Sequence, residues 1–296
     1  MRDYRYKGLN RNMTKPDFII IGAMKSATST LHEQLSLQDG IFMTTPKEPN
    51  YFSDDEVYAK GDGWYEALFF CAKVGDLCGE SSTHYTKLPD YPLTLSRMSG
   101  KLKSPKLVYV MRHPVDRLVS HYIHQWSRQV ITCDINQAIN DYDELIDYGC
   151  YAKQIKPYIA EYGIENILFI FMEAIKERPQ EQLNKVASFI GYRGQVLWQE
   201  TLPQQNVSSE RIRTFPGYKL LIDNTFMARL RRNFIPRFVR GAIKGKLMKK
   251  NRPEITAVNK ERLENRFDLD LMELAEILGC ENLTCDNYKS VVLGYR

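Results

Sequence analysis

The sequence predicts a three-layer α/β protein in which a central parallel sheet is flanked by helices. Two observations predict it. Three short runs, DFIIIG, KLVYVMR and ENILFIFMEAI, are apolar at nearly every position, as strands buried on both faces must be. Each run leads within a few residues into a segment whose apolar side chains recur at helical spacing, and strands alternating with helices build a parallel sheet.

Taken in order, residues 1–16 are expected to be a mobile arm ending at Pro16, and residues 17–296 a single domain. A chain of 296 residues is about twice the commonest domain size, a length that three-layer α/β enzymes often reach as one unit. The run after Asp17 ends at Gly22, where a tight loop precedes AMKSATSTLHEQLSL, helical from Thr30 on. The second strand, Lys106 to Arg112, runs into HPVDRLVSHYIHQW, with Pro114 where the first turn of a helix tolerates it. The third is expected from Glu165 to Ile175, followed by a helix over RPQEQLNKVASFIG that Gly191 closes. Pro46 to Leu95, rich in Tyr, Asp, Gly and Pro, is expected to be loops and short helices carrying a site. NKERLENRFDLDLMELAEILG has the periodicity of a long C-terminal helix.

Composition narrows the function classes. With 43% hydrophobic and 26% charged residues, the chain has the make-up of a folded globular protein. No run reaches the roughly eighteen apolar residues of a membrane span, and the polar start lacks the apolar stretch of a signal peptide, so the expected compartment is the cytoplasm. Six scattered cysteines form no CxxC pair, which predicts reduced, mostly buried thiols and no metal site. From Asn224 to Pro253 there are ten Lys or Arg and no acidic residue. That basic, partly apolar segment suits peripheral contact with a membrane surface, an acidic acceptor or a bound nucleotide, or simply a solvated helix face. No nucleic-acid partner is expected, and nothing in the sequence speaks to oligomeric state.

In an open α/β sheet, ligands bind beyond the carboxyl ends of the strands. The first such loop, GAMKSATST, offers small residues that let backbone amides approach an anion, a helix start, the cation Lys25, and hydroxyls at Ser26, Thr28, Ser29 and Thr30. A nucleoside-triphosphate loop requires GxxxxGK[ST]; here Lys25 comes three residues after Gly22, and Ala27 takes the place of any second glycine. An NTP-dependent kinase on a related fold, or a polyanion- or membrane-binding module built on the basic segment, are the alternative readings.

GAMKSATSTL after an apolar strand resembles the 5′-phosphosulfate loop of the sulfotransferases. MRHPVDRLVSHY resembles their 3′-phosphate segment, an Arg at the strand end with a Ser eight residues later. PKEPNYFSDD with GWYEALF, GESSTHYT and the closing FDLDLMELAEILG are similar to further segments of the glycan-type and bacterial enzymes, so the resemblance runs from about Asp17 to about Leu283. It implies a P-loop-NTPase-like sulfotransferase fold. It also implies the donor 3′-phosphoadenosine 5′-phosphosulfate, the product adenosine 3′,5′-bisphosphate, no metal, and a small-molecule acceptor sulfated on a hydroxyl or, less favoured, an amine.

The roles that the resemblance implies are these. Lys25 serves the leaving phosphate, with Ser26, Ala27, Thr28, Ser29 and Thr30 as donors around it. Arg112 and Ser120 hold the 3′-phosphate. Arg211 and Arg213, with Ser208 or Ser209 beside them, close over the nucleotide. Glu48 is the general base, steadied by Lys47, and His84 is the alternative base. His113, His121 and His124 read as structural or surface residues. Asn50 stands where many glycan-type relatives have a histidine and Ser81 where they have a lysine, which counts against a sulfated-polysaccharide acceptor. The aromatics Tyr51, Phe52, Trp64, Tyr65, Phe69 and Phe70 read as core rather than pocket lining.

Overall fold

The computed structural model describes residues 15–200 and 252–295. Five strands form one sheet: β1 (Phe18–Gly22), β2 (Ile41–Met43), β3 (Leu77–Ser81), β4 (Lys106–Met111) and β5 (Ile167–Phe171). Their order is β2-β3-β1-β4-β5 and every pairing is parallel. β1 is therefore central, and all five of its residues are buried. Because successive strand side chains point to opposite faces, Phe18 and Ile20 join Val108 and Val110 on one side of the sheet, and Ile19 and Ile21 join Leu107, Tyr109 and Met111 on the other.

The helices divide between those faces. α1 (Thr28–Ser36) packs Leu31 and Leu35 on the Phe18 side. Between β2 and β3 come α2 (Asp55–Tyr58) and α3 (Asp62–Ala67), and between β3 and β4 comes α4 (Thr94–Ser99). α5 (Pro114–Ser127) packs Leu118, Val119 and Tyr122 on the Ile19 side. After α6 (Ile135–Asp141) and α7 (Glu144–Asp147), α8 (Tyr151–Tyr162) covers the same side, then α9 (Met172–Glu177) and α10 (Pro179–Phe189) follow β5. The long helix α11 (Ala257–Leu278) lies on α8. Asp270 of α11 accepts the amides of Ala152 and Lys153 at 2.9 Å, capping α8 from outside. α12 (Tyr288–Gly294) ends the described chain.

This arrangement positions a site. The loop leaving β1 turns into a helix on one face, and the loop leaving its neighbour β4 turns into a helix on the other. The two loops diverge, and a crevice opens between the carboxyl ends of adjacent strands.

Three expectations are corrected. Pro46–Leu95 is not only loops and short helices: it contains β3, LCGES, whose last four residues are buried although three of them are polar or glycine. The third strand stops at Phe171, and Met172–Glu177 is helical, since an apolar run does not itself distinguish a buried strand from a buried helix turn. The helix after the first loop begins at Thr28, two residues earlier than its apolar periodicity indicates. All six cysteines are free; Cys78, Cys150 and Cys285 are buried, and Cys71 is exposed. No described helix is long and apolar enough to cross a membrane. Residues 1–14 of the arm, Arg211, Arg213, and the basic segment apart from Arg252 and Pro253 lie outside the described residues.

Candidate functional site

The cradle begins where β1 breaks its register with β4. Pairing shifts between Ile20 and Gly22, and the Ala23 amide then donates to Val110 O at 2.7 Å. Gly22 is required by a close approach: a Cβ there would fall 1.9 Å from Thr86 Oγ1. Lys25 and Ala27 both hold left-handed backbone, φ 71 and 69. No side chain caps α1, and its first internal bond runs from the Leu31 amide to Ala27 O. The amides of Thr28, Ser29 and Thr30 therefore stand as donors at the positive end of the helix. Ser26 and Thr28 are buried beneath the loop.

Arg112 leaves the end of β4 and turns toward this loop, its Nη1 3.4 Å from Lys25 O. Tyr151 fixes its backbone, donating to Arg112 O at 2.6 Å. Asp116, one turn into α5, lies 4.0 Å from the Arg112 guanidinium and also pairs with Arg252. Ser120 is buried on the same helix. The loops after β1 and β4, almost ninety residues apart in sequence, thus meet where the Arg112 guanidinium reaches the Lys25 backbone.

Two further cations, Arg117 and Lys87, were not singled out from the sequence. Arg117 is fully buried, donates to Leu145 O, and finds no partner among the described residues for Nε or Nη1. His121 is 1% exposed, so it is no surface residue, and neither of its ring nitrogens has a hydrogen-bond partner among the described residues. Burial, with Arg117, Lys87, His124 and Lys25 around it, drives its pKa well down. Lys87 is buried with its ammonium 5.5 Å from the centre of the Tyr148 ring; burial pushes its pKa down to about 8 against the pull of Glu48. A buried guanidinium with two unpartnered nitrogens is costly, and with Lys87 beside it this region matches the chemistry of an anionic ligand. Lys87 had a faint sequence signal, being the sole Lys or Arg between Lys73 and Arg97.

The residues expected on the acceptor side lie on the segment before β3 and the turn after it. Glu48 has φ 60 and its amide donates to Ser81 O at 2.9 Å. Its carboxylate accepts from Lys47 Nζ at 2.6 Å and from Thr83 Oγ1 at 3.2 Å. Burial alone would raise its pKa, but Lys47, Lys87 and His84 outweigh burial and hold it below the ordinary carboxylate range. His84 is stacked on Tyr91, ring centres 4.6 Å apart, and its buried Nδ1 has no partner. Burial and Lys87 bring its pKa down to about 4, so the ring is neutral at pH 7. His32, which the sequence reading passed over, reaches the same place from α1: its Nδ1 lies 2.9 Å from Ser81 Oγ, and burial with Lys47 nearby lowers its pKa to about 4. Its signal was a lone histidine inside a helix. His113 is structural, with Nε2 3.0 Å from Cys285 O. Of the six aromatics, Tyr51, Phe52, Tyr65 and Phe69 are core, while Phe70 is 61% exposed.

No cluster of three or more metal-ligating side chains occurs among the described residues. The cradle instead fits a nucleotide carrying anions at both ends: uncapped helix amides and Lys25 on one side, and Arg112 on the other, backed by the unpartnered guanidinium of Arg117.

Known proteins resemble the chain in sequence and in fold. The mouse heparan sulfate glucosamine 3-O-sulfotransferase 3B1 is 30% identical over 185 residues, covering 60% of this chain and 46% of the relative. The human enzyme of the same name is also 30% identical over 185 residues, with 60% of this chain covered. The chain therefore spans less than half the length of these curated relatives. A crystal structure of a sulfotransferase from Alicyclobacillus acidocaldarius superposes with a TM-score of 0.63 at 21% identity, covering 90% of this chain and 97% of that one, a likeness of fold. The model of the sulfotransferase domain matches residues 15–265, most of the sequence, and on that match the chain belongs to the sulfotransferase family.

Proposed function

We propose that the protein transfers a sulfuryl group from 3′-phosphoadenosine 5′-phosphosulfate to a hydroxyl of a small-molecule acceptor. The observation that carries this reading is the 3.4 Å approach of Arg112 Nη1 to Lys25 O, where the loops after β1 and β4 meet. The relatives' names describe transfer to oxygen, which favours a hydroxyl over an amine.

The donor supplies an activated sulfuryl group whose leaving group is adenosine 3′,5′-bisphosphate. Lys25, with backbone or hydroxyl donors from Ser26, Ala27, Thr28, Ser29 and Thr30, holds the phosphosulfate end, and the ammonium neutralises charge on the bridging oxygen as its bond to sulfur breaks. Arg112, a planar fork able to bond two oxygens at once, holds the 3′-phosphate with Ser120. Arg211 and Arg213 are proposed to add cations above the nucleotide. Glu48 takes the acceptor proton as the new oxygen–sulfur bond forms. Its depressed pKa keeps it ionised, and Thr83 and Lys47 fix its two oxygens. His84 is a second candidate for that proton, favoured by its neutral ring and its free Nδ1.

The test is calorimetry in EDTA. Adenosine 3′,5′-bisphosphate is expected to bind without metal and to raise Tm well above the effect of AMP. Equal effects of the two nucleotides, or binding of ATP that requires magnesium, would sink the reading and favour a kinase. ³⁵S-labelled donor incubated with a deproteinised metabolite extract then identifies the acceptor, and Glu48→Gln against His84→Asn separates the two bases.

A further inference from the structure

The segment that carries Glu48 is not held by packing alone. The amide of Thr44 donates to Gly79 O at 3.0 Å and that of Glu48 to Ser81 O at 2.9 Å, continuing the edge of β3. Beyond the strand, the acceptors become side chains: the Asn50 amide donates to Ser82 Oγ at 3.1 Å, and the Phe52 amide to Tyr85 Oη at 3.4 Å. Within this stretch Glu48 and Asn50 hold left-handed backbone, φ 60 and 54. Side-chain-bearing residues keep that conformation only where their surroundings impose it.

Both side-chain acceptors lean on one group. The Glu80 carboxylate, with no solvent exposure, accepts from Tyr85 Oη at 2.9 Å, from Tyr65 Oη at 2.9 Å and, at a longer 3.5 Å, from Ser82 Oγ. A hydroxyl has a single proton. Once Tyr85 and Ser82 spend theirs on Glu80, their lone pairs are left facing the amides of Phe52 and Asn50. We infer that Glu80 is a positioning residue for sulfuryl transfer, orienting the Tyr85 and Ser82 hydroxyls so that they hold residues 48–52 in the strained backbone that presents Glu48.

Burying a carboxyl is expensive, and packing would be served as well by an apolar side chain of the same size. Burial lifts the Glu80 pKa to about 7, with the hydroxyl donors of Tyr65, Tyr85 and Ser82 resisting. The group touches no reacting atom, since its oxygens are directed to those three hydroxyls. The inference rests on Glu48 as the base, and its test keeps the two apart.

Hydrogen exchange on the full chain is measured for Glu80→Leu, Tyr85→Phe and Glu80→Gln. In Glu80→Leu the amides of Asn50 and Phe52 are expected to exchange about tenfold faster, with β1 and β4 and the affinity for adenosine 3′,5′-bisphosphate unchanged. In Tyr85→Phe the loss centres on Phe52. Glu80→Gln recovers most of the protection, because its Oε1 still accepts from the tyrosines and its Nε2 can donate to Ser82 Oγ. Transfer from ³⁵S-labelled donor into the metabolite extract follows the same ranking through kcat. Unchanged exchange at residues 50 and 52 in both Glu80→Leu and Tyr85→Phe overturns the inference, as does faster exchange with full transfer or protection lost equally across β1. If Glu80→Leu does not fold, Tyr85→Phe alone carries the test. Full transfer by Glu48→Gln would remove Glu48 as the base, and the exchange result would stand independently.

Discussion

The two halves of the crevice are made differently. On the side proposed for the nucleotide the chain presents backbone amides, a helix end and permanently charged groups, all delivered by the loops after β1 and β4. On the acceptor side it presents side chains that hold one another, Glu48 through Lys47 and Thr83, His32 through Ser81, and the loop itself through Ser82, Tyr85 and Glu80. The first half needs little more than the correct fold and is suited to a ligand that never changes. The second is a network of ionisable and hydroxyl groups in which one substitution redirects several bonds, as suits the half that sets the acceptor.

The sharpest way to break this contrast is Arg112→Ala. Removing a fork that bonds phosphate is expected to weaken adenosine 3′,5′-bisphosphate by about 3 kcal/mol, more than a hundredfold in Kd, while residues 48–52 keep their amide protection. Calorimetry and hydrogen exchange on one variant check both statements; a loop loosened along with the nucleotide would show that the halves are not separately built. Gly22→Ala probes the point where they touch. Its new Cβ would strike Thr86 Oγ1, which belongs to the turn that carries His84 and donates to Ile21 O at 3.0 Å. A loss of about 2–3 kcal/mol is expected, read as a lower Tm, and Thr86→Ala in the same chain should return part of it by removing the clash.

The contrast also explains what the sequence disclosed. β1 and β4 were legible because both their faces are buried, which leaves continuous apolar runs, and Lys25 and Arg112 were legible because they follow those runs directly. β3 was hidden for the opposite reason. Gly79 is there because a Cβ would fall 2.3 Å from the Phe18 ring, and Glu80 and Ser81 are there for the site, so nothing in LCGES reads as a strand. His32, Lys87 and Arg117 escaped because their meaning lies in tertiary neighbours: His32 meets Ser81 across 49 positions, and Arg117 meets Leu145 across 28. No local pattern encodes such distances.

A further expected effect concerns the charge that holds the Tyr85 and Ser82 hydroxyls, and its sign is fixed by linkage. Glu80 in the folded protein has its pKa lifted by burial to about 7, against 4.5 for an ordinary glutamate. Between those values the folded chain keeps a proton that the unfolded chain has released, so the contribution of Glu80 to stability is complete below pH 4.5 and fades as the pH rises through 7. His32 and His84, whose pKa values are lowered to about 4, act oppositely, losing stability as the pH falls below 6.5. They mask Glu80 in any single melting series. They cancel, however, when the parent is compared with Glu80→Gln, which retains both histidines and cannot titrate at position 80. The stability of Glu80→Gln relative to the parent, read as a difference in Tm, should therefore climb from pH 4.5 to pH 7 and then level off, a change of roughly 3 kcal/mol. A difference that stays flat across that window would mean that Glu80 is ionised throughout, and that the hydroxyls of Tyr65, Tyr85 and Ser82 outweigh its burial.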